Sequence, residues 1–280
     1  MRALVMTAPG GAENSQVREV EAVRPGPGRV AIDVAYAGLN FVDVMHRRGD
    51  AAYTTEWPYL PGKEVSGTVR ELGEGVTGLA VGDRVVAAPV GAGLAETVVA
   101  EATLTVPLPD GVALREAAAV PLGLATSMLL LTDAGRFTPG DTVLVPVSYT
   151  PVRAATDGRG VDLLLDPLGT AALELDLAVA APGARIVLFG NAGGGAVADL
   201  PPLGRLMAGN LTVTGFSHRG LAATAPDRLA RAIRRVLDLL ADGGLKLPVT
   251  ELPDLAAVPA AHDAMEDGRA TGKYVVRVGG

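Results

Sequence analysis

The chain has 280 residues, 49% of them hydrophobic, enough for one large core or two modest ones. Its net charge of −7, from 24 Lys and Arg against 31 Asp and Glu, is scattered rather than blocked, leaving no basic stripe for a nucleic-acid backbone. Cysteine is absent, which removes disulfides, thiolate metal sites and cysteine nucleophiles together. The opening Met1-Arg2-Ala3-Leu4-Val5-Met6 lacks the apolar run of a signal peptide. No stretch reaches the roughly 18 apolar residues of a membrane span, so a soluble cytoplasmic protein is expected.

The first 110 residues read as strands. Residues 29–39, 65–72, 84–88 and 94–100 are apolar or alternating, with Pro-Gly and Gly-x-Gly punctuation between them. A helix at 41–48 interrupts the run, with Asn40 placed as its N-cap. From Leu114 the pattern turns helical, and 122–133 is apolar nearly all round, which predicts a buried helix. Strands then alternate with helices. Residues 142–147, 161–165, 185–189 and 211–216 are β-rich, while 170–180 and 200–208 read as helices. An amphipathic helix at 226–240 closes on Asp242-Gly243-Gly244, and 247–280 holds strand, helix and strand. The expected fold is mixed α/β in two domains: 1–120 with 246–280 returning to it, and a parallel-sheet domain at 121–245.

One join breaks this pattern. Asp141-Thr142-Val143-Leu144-Val145 reads as the first strand of a dinucleotide-binding domain, which should run into a glycine-rich turn opening a helix. Instead the chain continues Pro146-Val147-Ser148-Tyr149-Thr150-Pro151-Val152-Arg153, without glycine. By Asp157-Gly158-Arg159-Gly160-Val161-Asp162 it already resembles the approach to a later strand. The span 148–160 is long enough for a parallel crossover. The strand at Val143 is therefore expected beside the strand at Val161, with Pro146 suited to an edge and Ser148 and Tyr149 in the replacement segment.

Several motifs carry a family likeness: Ala35-Tyr36-Ala37-Gly38-Leu39-Asn40, Leu60-Pro61-Gly62-Lys63-Glu64-Val65-Ser66-Gly67, Val81-Gly82-Asp83-Arg84-Val85 and Gly272-Lys273-Tyr274-Val275-Val276. With them, the chain resembles the medium-chain dehydrogenase/reductase superfamily, and within it the NADPH-dependent quinone oxidoreductases related to zeta-crystallin. The resemblance implies a GroES-like β-rich catalytic domain, a Rossmann-like domain (here truncated), a substrate cleft between them, and a homodimer paired through the strand at 211–216. The zinc-dependent branch places a cysteine at Asn40 and a histidine at Lys63. An amide and an ammonium cannot replace those ligands, so no metal is expected.

Against the family, about 50–60 residues are missing at the join, judged from about 30 per βαβ unit. The phosphate-binding turn and the helix N-terminus behind it go with them. Losing about three charge-assisted bonds costs roughly 5–8 kcal/mol, which carries micromolar dinucleotide binding past millimolar. No cofactor-binding residues are expected; the remaining cluster Gly190-Asn191-Ala192-Gly193-Gly194-Gly195 follows a strand, and its Gly190, Asn191 and Gly193 are a weak candidate anion nest. An ordinary strand-to-helix loop is the competing reading.

By the same resemblance, Asn40 and Lys63 face the cleft, where Lys63 could polarise a carbonyl or form a Schiff base and Asn40 could hold its oxygen. The plain alternative for Lys63 is an exposed lysine paired with Glu64. Tyr53, Trp57 and Tyr59 lie in one stretch of a chain only 4% aromatic, as a wall for a flat substrate or as packing. Asp43 is read as a helix anchor, and His46 as the histidine nearest the cleft. The expectation is an enzyme that has lost its cofactor and performs cyclisation, isomerisation, addition or elimination on a carbonyl-bearing natural-product intermediate. The alternatives are an NADPH-dependent quinone or enone oxidoreductase and a non-catalytic binding protein. Elemental analysis of purified protein should find no stoichiometric zinc; one zinc per chain would contradict the reading of Asn40 and Lys63.

Overall fold

The computed structural model describes residues 1–50, 53, 56–145, 152–169, 172–194 and 199–279. Pro146, Ser148, Tyr149 and Gly195 lie outside the described residues. The chain divides into two compact units, residues 1–126 with 221–280, and residues 127–220.

The first unit opens with a hairpin of β1 (Arg2–Met6) and β2 (Ser15–Glu19), paired antiparallel. Its main sheet contains β3 (Arg29–Gly38), β4 (Val65–Leu72), β5 (Arg84–Ala87), β6 (Thr97–Glu101) and β7 (Thr105–Pro107). Helix α1 (Phe41–Arg48) separates β3 from β4, and α2 (Leu114–Ala117) follows β7. A helical run continues from Val120 to Ala134 with α3 (Ala125–Leu129) at its centre, flanked on each side by a wide, π-type turn. Residues 122–133 are not buried throughout, as their apolar composition suggested. Only Ala125, Leu129 and Leu130 are fully covered, because composition measures hydrophobicity and not which faces other elements reach.

The second unit holds β8 (Val143–Leu144), α4 (Val152–Ala155), β9 (Val161–Asp166), α5 (Leu173–Val179), β10 (Ala180–Leu188), α6 (Leu203–Gly209), β11 (Thr212–Gly215) and the start of α7 (His218–Thr224). The chain returns to the first unit with α8 (Pro226–Ala241), β12 (Val249–Leu252), α9 (Val258–Glu266) and β13 (Lys273–Arg277). Sequence reading placed α8 in the second domain. Its apolar stripe, Leu229, Ile233, Val236 and Leu237, instead packs with the first unit, against β7 and the turns at 102–104 and 120–124.

In the first unit the sheet order is β12-β13-β3-β4-β5-β7, with β6 also paired to β3. Its inward residues, including Leu4, Ile32, Val65, Val85 and Val276, form the main core with Leu255 and Val258. Burial of each such side chain contributes about 1.5–3 kcal/mol.

The second sheet is wholly parallel, in the order β11-β10-β9-β8. Both faces are covered, as parallel sheets require. Leu164 and Ile186 pack with Leu173 and Val179, while Leu163, Leu165 and Val187 face Leu130. Val143 and Leu144 pair directly with Leu163 and Leu164, so the strand before the join does lie beside the strand after it.

Side chains add to the backbone bonds that the Thr142 carbonyl accepts from the Asp162 and Leu163 N–H groups. Asp162 accepts from the Thr142 N–H at 2.8 Å and from Arg159 at 2.6 Å, and Arg159 also donates to the Thr142 hydroxyl. Arg185 donates to Asp141 at 2.5 Å and to the Arg136 carbonyl. Arg159 draws the Asp162 carboxyl down to about 2. Asp162→Ala should strip the Thr142 N–H of its side-chain acceptor and cost about 1–3 kcal/mol in urea unfolding; a loss under 0.5 kcal/mol would show that the clamp is ornamental.

Candidate functional site

Strand β4 is preceded by Pro61-Gly62-Lys63-Glu64, and consecutive extended residues send their side chains to opposite sides. Glu64 turns inward and is fully buried. Lys63 turns outward, half-buried, and its ammonium donates to the Val90 carbonyl at 2.8 Å. The expected Lys63–Glu64 pair is therefore replaced by a different one. The Lys273 ammonium lies 2.5 Å from Glu64 Oε1.

Four donors converge on the Glu64 carboxylate. Oε1 accepts from Lys273 and from Asn40 Nδ2 at 2.9 Å, while Oε2 accepts from the Leu122 and Gly123 N–H groups at 2.8 and 3.1 Å. Lys273 in turn donates at 2.7 Å to both the Leu39 carbonyl and Asn40 Oδ1. Gly38 is glycine for a steric reason here: a Cβ would sit 2.3 Å from Glu64 Oε1 and 2.7 Å from the Ala118 carbonyl.

Asn40 does occupy the N-cap position of α1, but caps through its backbone. Its carbonyl accepts from the Asp43 N–H at 3.0 Å and its N–H donates to Asp43 Oδ2 at 3.2 Å. Its side chain is committed to Glu64 and Lys273. Asp43, fully buried, also accepts from the Gly62 N–H at 3.1 Å, which ties α1 to the segment bearing Lys63. Burial pushes the Asp43 carboxyl up, opposed by those backbone donors and by the nearby Lys63 charge. Gly62 takes φ +99° with no room for a Cβ beside Leu94 N, so the turn admits only glycine.

The aromatic stretch gathers around His46. Tyr59 lies 4.8 Å from its ring and Tyr53 5.7 Å, edge-on, with Trp57 6.4 Å from Tyr59. Burial raises the Tyr53 phenol, with Asp50 adding to it. His46 is buried at the centre of this group, while Tyr53, Trp57 and Tyr59 are each half-buried around it.

The remnant glycine loop is bound up in its own packing. The Ala192 N–H donates to the Pro167 carbonyl and the Gly194 N–H to the Asn191 carbonyl, both at 2.9 Å. A Cβ at Gly190 would sit 2.6 Å from that Pro167 oxygen, and Gly193 lies against the Leu168 carbonyl. Two of the donors an anion nest would use are thus already taken, so the loop is a poor fit for a pyrophosphate. Among the described residues, no group of three or more His, Asp or Glu is placed to hold a metal ion, and no helix is long and apolar enough to cross a membrane.

Two family models match the chain in succession. Residues 26–110 match the alcohol dehydrogenase GroES-like domain, and residues 140–276 match the zinc-binding dehydrogenase family. A probable quinone oxidoreductase of Schizosaccharomyces pombe is 30% identical over 309 positions, covering 93% of this chain and 92% of that protein. The chain belongs to the medium-chain dehydrogenase/reductase superfamily.

Its membership carries a gap. A synaptic vesicle membrane protein VAT-1 homolog of Danio rerio is 26% identical over 338 positions, covering 98% of this chain and 69% of that protein. Since the chain has only 280 residues, at least 58 of those positions have no counterpart in it. A solved mycobacterial structure, Rv1454c complexed with NADPH, is 27% identical with a TM-score of 0.88, covering 99% of this chain and all of that one.

Glu64 and Lys273 are the site residues that sequence reading missed as a pair. Both stand inside motifs that carry the family likeness, but nothing local pairs them; only the folded sheet brings β13 to the start of β4. Lys273→Met should leave the Glu64 carboxylate buried without its cation and cost about 3–5 kcal/mol in denaturant unfolding. Adding Glu64→Gln should recover much of that loss, whereas additive losses would contradict the coupling.

Proposed function

We propose that this chain is an enzyme of the superfamily that has given up the dinucleotide's pyrophosphate site and acts on a carbonyl-bearing small molecule without net redox change. The reaction class is cyclisation, isomerisation, addition or elimination, on an intermediate of natural-product type. The observation that carries this reading is β8 running directly beside β9, in a chain lacking at least 58 positions of a relative. In dinucleotide-binding domains the turn after the first strand and the helix behind it grip the pyrophosphate. Here the residues after β8 include no glycine before Gly158.

In this reading Lys63 carries the chemistry. Its ammonium would hydrogen-bond a substrate carbonyl and stabilise the oxyanion that develops, with Trp57 and Tyr59 as the flat apolar neighbours. Asn40 supports the site through Glu64, Lys273 and α1 rather than by touching substrate. The runner-up is an NADPH-dependent quinone or enone oxidoreductase, favoured by the Schizosaccharomyces pombe relative and by Rv1454c complexed with NADPH.

The assembly proposed with either reading is a homodimer joined through β11. That strand forms one edge of the second sheet among the described residues, and the neighbouring α6 leaves Leu203 and Met207 69% and 68% exposed. Light scattering at micromolar concentration should give the dimer mass; a monomer would remove this part.

A panel of enones and quinones incubated with NADPH separates the two activities. Products of unchanged mass or simple adducts, with constant 340 nm absorbance, are expected. Lys63→Met should then lower kcat roughly 10–100-fold, the worth of one charged hydrogen bond. Stoichiometric NADPH oxidation would establish the reductase instead.

A further inference from the structure

Helix α9 carries a sealed histidine. His262 is fully buried, and neither ring nitrogen has a hydrogen-bond partner among the described residues. Buried polar atoms are nearly always paired, so an orphaned ring calls for an explanation. Beside it, within electrostatic reach, is a second buried group, Arg47, in the last turn of α1 and 1% exposed. Its guanidinium donates to Asp263 at 2.7 Å and to Glu266, while its Nε is also unpartnered among the described residues. The main chain at this point is fixed as well, since the Arg47 carbonyl accepts from the Gly10 N–H at 2.8 Å.

We propose that the contact between α1 and α9 is an acid-operated latch, in which a proton taken up from solvent by His262 sets a second cation beside Arg47 and loosens the two helices. The groups facing the ring define its direction. Arg47 opposes protonation from α1, and Asp263 on α9 favours it. Glu266 is drawn to Arg47 and Arg48. The other titratable groups of α1 face elsewhere, Asp43 toward Gly62 and His46 toward Tyr53 and Tyr59. The turn at 12–14 that packs on α9 offers only Glu13, which is exposed, and the turn at 255–257 has no ionisable side chain.

Burial first, and Arg47 second, hold the ring down to about 4, against an ordinary value of 6.5. The folded state therefore binds this proton less readily than the open state. The ring's contribution to the closed latch is complete above pH 6.5 and is lost as pH falls from there toward 4. Helix α1 bears Asn40 at one end and His46 near the other, so opening reaches both the Glu64 clamp and the aromatic cluster.

Hydrogen exchange of the α1 and α9 amides in the full chain, corrected for intrinsic rates, tests the latch. Between pH 7 and pH 5 the opening constant should rise about 20-fold in the wild type and stay nearly flat in His262→Phe. A wild-type response as flat as the variant's, or an undiminished response in the variant, would overturn the proposal. Should His262→Phe not fold, an NMR titration of the wild-type ring decides the matter. A ring still neutral at pH 5 in the native fold supports the latch, and one titrating near 6.5 without loosening α1 or α9 ends it.

Discussion

A carboxylate buried in the first unit has to be paired, and much of the surrounding structure follows from how Glu64 is paired. An isolated ion there would cost several kcal/mol. Four donors meet it, from β13, from the residue heading α1, and from the start of the helical run at Val120. These elements lie far apart in sequence and are brought together on one side chain. The missing side chain of Gly38 makes room for it. Asn40 is thereby explained as a bridge between Glu64 and Lys273, in the position where, by family resemblance, the zinc-dependent branch has a metal-binding cysteine. The site's outward groups, Lys63 above all, are held by backbone that this inward network fixes.

The second unit answers a different constraint. The four-stranded parallel sheet keeps both faces covered, because α5 packs on one side and the run ending at Ala134 on the other. The new edge is a two-residue strand with little ladder of its own. Charged side chains, Arg159 with Asp162 and Arg185 with Asp141, add contacts beside that ladder. Shortening an edge strand in this way also limits what can pair with it. A domain so contracted can persist as a scaffold while losing the turn that holds a pyrophosphate. The fold and the proposed loss of the cofactor site are thus compatible.

Much of this was legible in the residues. Alternation marks β3 and β4, Asn40 marks the start of α1, and the short glycine-free span after Val145 is enough to place β8 beside β9. Pairing partners were harder. Lys63 is adjacent to Glu64 in sequence, yet strand geometry sends the two apart, and Lys273 becomes a partner only once β13 is laid against β3. The assignment of α8 failed for a related reason: an amphipathic stripe announces that one face will be buried without naming what buries it. His262 gave no sign at all, since an isolated histidine on a helix looks the same whether solvated or sealed against an arginine.

The central claim is that the chain keeps the superfamily's scaffold without its grip on the dinucleotide. Calorimetric titration of the purified full chain with NADPH tests it most directly, with NADH alongside. The account predicts dissociation constants no tighter than millimolar for both. Micromolar binding of NADPH would contradict it and restore the oxidoreductase reading.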